Sequence, residues 1–143
     1  MAVVRKTGRV HTTDYANTLI TVAPDTRATR GIAPPSGKRT VAQRQYALLV
    51  AHDYELTSDD VLFAVHCDRL GIEMDAGDEA RSAFFARGQP CLRTSPLVKT
   101  YGWGIHSDAA GRIALVGMES ERYAAFVADD ATVKTAGMRI GRR

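Results

Sequence analysis

The sequence predicts an α+β fold: a single domain in which a small antiparallel sheet, an N-terminal strand plus a C-terminal hairpin, packs with about four helices. Three observations carry this. Thr18-Leu-Ile-Thr-Val-Ala23 is a β-branched run closed by Pro24. Between residues 40 and 88, apolar side chains recur at helical spacing behind hydroxyl and carboxylate start signals. Around the turn-rich Ser107-Asp-Ala-Ala-Gly-Arg112, two apolar runs face each other as a hairpin would.

The strand comes first, and residues 24–39, with three prolines and two glycines, follow it as a long loop. Thr40-Val-Ala-Gln43 fits a capping box, in which the hydroxyl and the amide each satisfy an end N–H. Ala42, Tyr46, Leu49 and Val50 then share one helical face. A second helix starts at Thr57-Ser58-Asp59-Asp60, whose oxygens suit both the free amides and the positive end of the helix dipole. Its inward face reads Val61, Leu62, Val65 and Arg69, and Gly71 is its stop. A third helix runs from about Asp78 to Arg87, with Ala80, Ala83 and Phe84 inward and Gly88 ending it. Trp103–His106 and Ile113–Met118 form the hairpin, and Ser120–Ala128 is the last helix, apolar at Tyr123, Phe126 and Val127.

Charge and composition narrow the function classes. With 45% hydrophobic and 24% charged residues the 143-residue chain is of ordinary globular composition. No apolar run reaches the roughly 20 residues needed to span a bilayer. Met1–Val10 carries Arg5, Lys6 and Arg9 without a following apolar core, so it is not a secretory signal, and a cytoplasmic protein is expected. Residues 1–10 read as a basic extension, 11–139 as the domain and 140–143 as a basic tail. Discounting Arg5, Lys6, Arg9, Arg139, Arg142 and Arg143 takes the net charge from +3 to −3. The body is therefore mildly acidic, and a nucleic acid held by the termini is one possible partner. Cys67 and Cys91 are expected to stay reduced, Cys67 as a small buried hydrophobe.

Residues 89–106 concentrate the chemistry. This stretch holds Cys91, Arg93, Lys99, Tyr101, Trp103 and His106, and residues 80–107 contain no carboxylate. Arg93 can clamp a carboxylate or phosphate with its planar fork, and Lys99 adds a point charge. Tyr101 and Trp103 offer flat faces, and His106 a pH-sensitive donor. The alternative for Trp103, bracketed by glycines, is that it plugs the core. Gly37-Lys38-Arg39-Thr40 lacks the glycine five positions earlier and the hydroxyl after the lysine that a nucleotide-triphosphate loop needs. Lys38 and Arg39 remain as weak anion-binding residues ahead of a helix start. No paired Cys or His spacing points to a metal, and no cofactor is expected.

The reading these residues favour is a binding protein for an anionic or aromatic small ligand, using Arg93, Lys99, Tyr101, Trp103, His106, Lys38 and Arg39. A different class, a cysteine-dependent enzyme, would use Cys91 as nucleophile and His106 as base. A third is a nucleic-acid accessory protein held by basic tails.

The strings His11-Thr-Thr13, Tyr15-x-Asn-Thr18, Thr40-Val-Ala-x-x-Gln-Tyr46, Thr57-Ser-Asp-Asp-Val-Leu-Phe63, Gln89-Pro-Cys-Leu-Arg-x-Ser-Pro-Leu97 and Tyr101-Gly-Trp-Gly-Ile-His106 carry a resemblance. Together they are similar to a family of small, mainly bacterial proteins classed as a domain of unknown function. The likeness spans roughly His11 to Arg139, and it implies a single domain while supplying no activity, cofactor or catalytic residue.

Overall fold

A computed structural model describes residues 12–73 and 78–141. The extension 1–10, His11 and the tail arginines Arg142 and Arg143 lie outside the described residues. Ile140 and Gly141 donate their amides to the Asp25 carboxylate, so the chain is still anchored past residue 139.

Four strands form one mixed sheet: β1 (Thr18–Thr21), β2 (Trp103–Ser107), β3 (Ile113–Gly117) and β4 (Val133–Ala136), in the order β3-β2-β1-β4. The expected strand and hairpin pair antiparallel, with Ile20 opposite Ile105 and Leu19 opposite His106. The sheet is nonetheless not purely antiparallel. β4 adds to the far side of β1 in parallel, Thr18 opposite Val133. The chain reaches it from β3 through α5 (Glu121–Ala128), the helical crossover that parallel strands require.

The other helices are α1 (Val41–Ala51), α2 (Ser58–Leu70), α3 (Asp78–Ala86) and the single turn α4 (Pro96–Lys99), the last preceded by a 3-10 turn at Leu92–Thr94. α4 brings the described helices to five, one beyond expectation. Ser95 caps it by accepting from the Leu97 amide, and Pro96 presets its first residue. The two expected N-caps are present. At α1 Thr40 accepts from Gln43 N without the return bond from the Gln43 side chain that the expected capping box would add, whereas Thr57 exchanges both bonds of a capping box with Asp60. Gly71 ends α2 at φ 69°, where a side chain would be strained.

Strand pleat divides the sheet into two faces. Ile20 and Ile105 point one way, into a core with Leu49, Val61, Leu97 and Val98. Leu19 and His106 point the other way, toward α5, where Phe126 stacks on His106 and Tyr123 covers Gly104. Four inward assignments differ. Val50 is 59% exposed and Gln45 takes its place in the interior, because Ser95 Oγ donates to Gln45 Oε1 at 2.6 Å there. Arg69 and Ala83 are exposed, and so is Val127, since α2 turns Val61 and Val65 inward and α5 docks through Tyr123 and Phe126.

Both sheet edges are protected, as bare edges invite pairing with other chains. The segment before α2 covers β3 through Tyr54 N to Ile113 O and Ile113 N to Leu56 O. At β4, the Arg93 side chain reaches the outward carbonyl of Ala136.

Candidate functional site

The residues of the 89–106 stretch disperse once folded. Arg93 Nε donates to Ala136 O at 2.6 Å while its own carbonyl accepts from Met138 N, so it staples β4 to the 3-10 turn. Lys99 closes α4, half-buried. Tyr101 packs on the core, and its carbonyl accepts from Ile32 N. Trp103 Nε1 donates to Ile32 O at 3.0 Å, and Tyr46 tilts against the indole with ring centroids 5.8 Å apart. Gly31 lies on the indole face so closely that a Cβ there would come within 2.9 Å of the ring. Tyr101 and Trp103 are thus brought together on the 24–39 loop, which they pin to the sheet. Lys38 is exposed on the same loop, and Arg39 turns toward α2.

Cys91 and His106 have separate environments. Cys91 Sγ is 3.5 Å from the Tyr15 hydroxyl. Burial, then the neighbouring thiol, pushes that phenol up to about 12, with Arg93 opposing. Cys67 is a second free thiol, buried, which pushes it up as well. His106 Nδ1 meets the Tyr54 hydroxyl at 2.7 Å, and Arg122 Nη2 donates to the same oxygen at 2.7 Å. Burial first, and then Arg122, hold the imidazole below its ordinary range, with Asp108 opposing. Tyr54 is pushed upward by burial, and its φ of 57° places a bulky side chain in the left-handed region, a strain of about 1–3 kcal/mol. Tyr54 and Arg122 were not legible as site residues, since no spacing ties them to His106.

Other polar pairs close the fold. Thr12 and Thr13 both donate to the Asp59 carboxylate, at 2.7 Å each, and Asp59 N donates back to Asp14 Oδ1 at 2.9 Å. Asp14 is pushed up to about 6, chiefly by burial and against the pull of that amide.

A groove of about 450 Å³ lies between α1 and α2. Its size falls in the range of small-molecule sites. Small side chains keep it open: Ala47, Ala51 and Ala64, with Leu48 and Val65, leave an apolar floor that larger side chains would fill. On its rim, Asp68 receives one nitrogen of Arg39 on both oxygens at 2.8 Å and Arg44 Nε at 2.6 Å. The two guanidiniums, Arg39 first, hold the Asp68 carboxyl below the usual range. One carboxylate shared by two guanidiniums leaves the rim with a net positive charge. Arg39 belongs to the expected set; Arg44 and Asp68 were missed, though Arg44 lies three residues before Ala47 and Asp68 four after Ala64.

Among the described residues, no group of three or more His, Cys, Asp or Glu side chains is placed to hold a metal ion. Nor is any described helix long and apolar enough to cross a membrane. No curated protein and no solved structure matches the chain. Residues 10–143, however, match a family of unknown function, DUF6157, and with nearly its whole length covered the chain belongs to that family.

Proposed function

We propose that this protein binds a small amphipathic anion, a carboxylate or phosphate carried on an aromatic or aliphatic body, in the groove between α1 and α2. The observation that carries the reading is the pairing of an apolar floor with a rim where two guanidiniums share the single carboxylate of Asp68. Arg39 and Arg44 each use one nitrogen on Asp68, leaving further N–H donors for a second anion. Arg44 is the better anchor, its side chain 18% exposed against 70% for Arg39. The floor then supplies the affinity that an exposed ion pair does not. This keeps the anion-binding expectation and moves its centre from Trp103 to Arg39 and Arg44. Catalysis by Cys91 and His106 draws less support, since each hydrogen-bonds a different tyrosine.

The test is a titration with phenyl phosphate, benzoate and inorganic phosphate, followed residue by residue by amide NMR. Phenyl phosphate and benzoate should shift α1 and α2 amides saturably, and inorganic phosphate should bind there more weakly. Arg44→Gln should weaken binding about tenfold or more, the value of one charge-assisted hydrogen bond. Asp68→Asn should tighten it by removing the internal competitor. Equal binding of inorganic phosphate, or shifts confined to other parts of the chain, would overturn the proposal.

A further inference from the structure

We infer that the occupant of the α1–α2 groove is a straight-chain aliphatic anion lying lengthwise, its head at Arg39 and Arg44 and its tail pointing to the C-terminal end of α1; this rests on the groove reading and adds the shape, direction and length of the ligand. The direction of the floor comes first. Ala47 and Ala51 both line the groove and stand one turn apart on α1, so the floor they make runs parallel to the helix axis. Ala64 and Asp68 line it from α2 with the same spacing. Asp68, late in α2, pairs with Arg39 and Arg44, early in α1, so the two helices run antiparallel and the groove follows both.

Charge sets which end takes the head. At the start of α1, two guanidiniums against the single Asp68 carboxylate leave one net positive charge. At the other end His52 lines the groove, and its Nδ1 is 2.9 Å from the Glu55 carboxylate, which repels an anion. Only the arginine end suits the head, and the tail must run over the alanines. Length follows from the helix. Arg44 and Ala51 are seven residues apart, or about 10 Å along the axis. An extended chain advances about 1.2 Å per bond, so about eight bonds fill that distance. The lining also selects the kind of tail. Among the described residues it holds no phenylalanine, tyrosine or tryptophan, so a ring finds no aromatic face to stack on while a methylene chain finds alanine, leucine and valine.

The experiment is amide NMR of the full chain, titrated with butanoate, hexanoate, octanoate, decanoate and benzoate. Affinity read from α1 and α2 amides should rise about two- to fourfold per methylene up to octanoate and then level off. Benzoate should bind more weakly than octanoate. Two leucines at exposed positions then measure direction. Ala51→Leu should cost octanoate most of its gain and leave butanoate unchanged, whereas Ala47→Leu, nearer the head, should also weaken hexanoate. Thermal midpoints of both variants should stay in place, since leucine is a good helix former. The reverse order of effects would overturn the inference, and so would benzoate binding as tightly as octanoate. So would shifts of α1 and α2 amides on raising the protein concentration alone, which would seat a second copy in the groove. If carboxylates shift these amides without regard to chain length, the inference falls and the groove reading stands. If no carboxylate shifts them, both fall.

Discussion

Replacing Asp14 by asparagine should stabilise the protein at pH 8 and do nothing at pH 3. Asp14 Oδ1 accepts the Asp59 amide at the first turn of α2, and an asparagine oxygen accepts it equally well, so the contact survives the change. What disappears is the charge. Burial, with Asp59 and Asp60 nearby, lifts the Asp14 carboxyl from 3.8 to about 6, despite the Asp59 amide and Arg81. Between those values the folded state binds a proton that the unfolded chain releases. Stability from this group is therefore fully present below 3.8 and is lost as the pH rises past about 6. The full difference corresponds to about 3 kcal/mol. Asp14 is only half-buried, and solvent screening reduces this to about 1–2 kcal/mol. Thermal unfolding of both proteins from pH 3 to pH 8 is the assay. A gain of a few degrees at pH 8 that fades toward pH 4 is expected, at about 3–5 °C per kcal/mol for a chain of this size. Loss of stability at pH 8 would refute the reasoning, because the ionised carboxylate would then be a favourable cap and not a buried cost. A gain independent of pH would refute it too.

Arg93→Ala should lower stability by about 1.5–3 kcal/mol in urea unfolding, the worth of a charged hydrogen bond, because it unstaples β4 at Ala136. An unchanged midpoint with lost anion binding would return Arg93 to a ligand role. Gly102→Ala and Gly88→Ala form a matched pair, both at positive φ. At Gly88 the added methyl meets open space, and about 1 kcal/mol of backbone strain is expected. At Gly102 it overlaps the Arg30 carbonyl, so the loss in the same assay should be several-fold larger, and equal losses would mean the 24–39 loop does not seat against β2 as described.

Local signals were legible and non-local ones were not. The starts of α1 and α2 are written in four-residue strings whose hydroxyls find amides within the same turn, so Thr40 and Thr57 could be read directly. The β2–β3 hairpin needed only its own turn, Asp108 accepting from Ala110 and Arg112 amides. β4 was missed although Thr132, Val133 and Thr135 are β-branched, because its pairing with β1 depends on a crossover that no short window contains. Val50 illustrates the same limit. Helical spacing put it inside, but a hydrogen bond from Ser95, 50 residues away, draws Gln45 inward in its place. At the site level, residues 89–106 are neighbours along the chain and part company in space. The 3-10 turn, α4 and β2 aim Arg93, Lys99 and Trp103 in different directions, whereas His106 meets Tyr54 across 52 residues.

The strings that carry the family resemblance are largely paired with one another. Thr12 and Thr13 hold Ser58 and Asp59, Tyr15 meets Cys91, Gln45 takes the Ser95 hydroxyl, and Trp103 leans on Tyr46. These contacts bridge 45 to 76 residues and are half or fully buried, which is where a lost hydrogen bond is costly. Such strings specify a fold before they specify a ligand. A side chain whose donors are all spent inside the structure has nothing left for a partner, and that reasoning removes Trp103 Nε1 and places Arg93 Nε in the framework. Groups with donors to spare include Arg39 and Arg44 on the groove rim and Arg122 on α5. None of these three is a named residue of the strings that carry the resemblance, so the residues that fix the fold and those with donors to spare are separate sets.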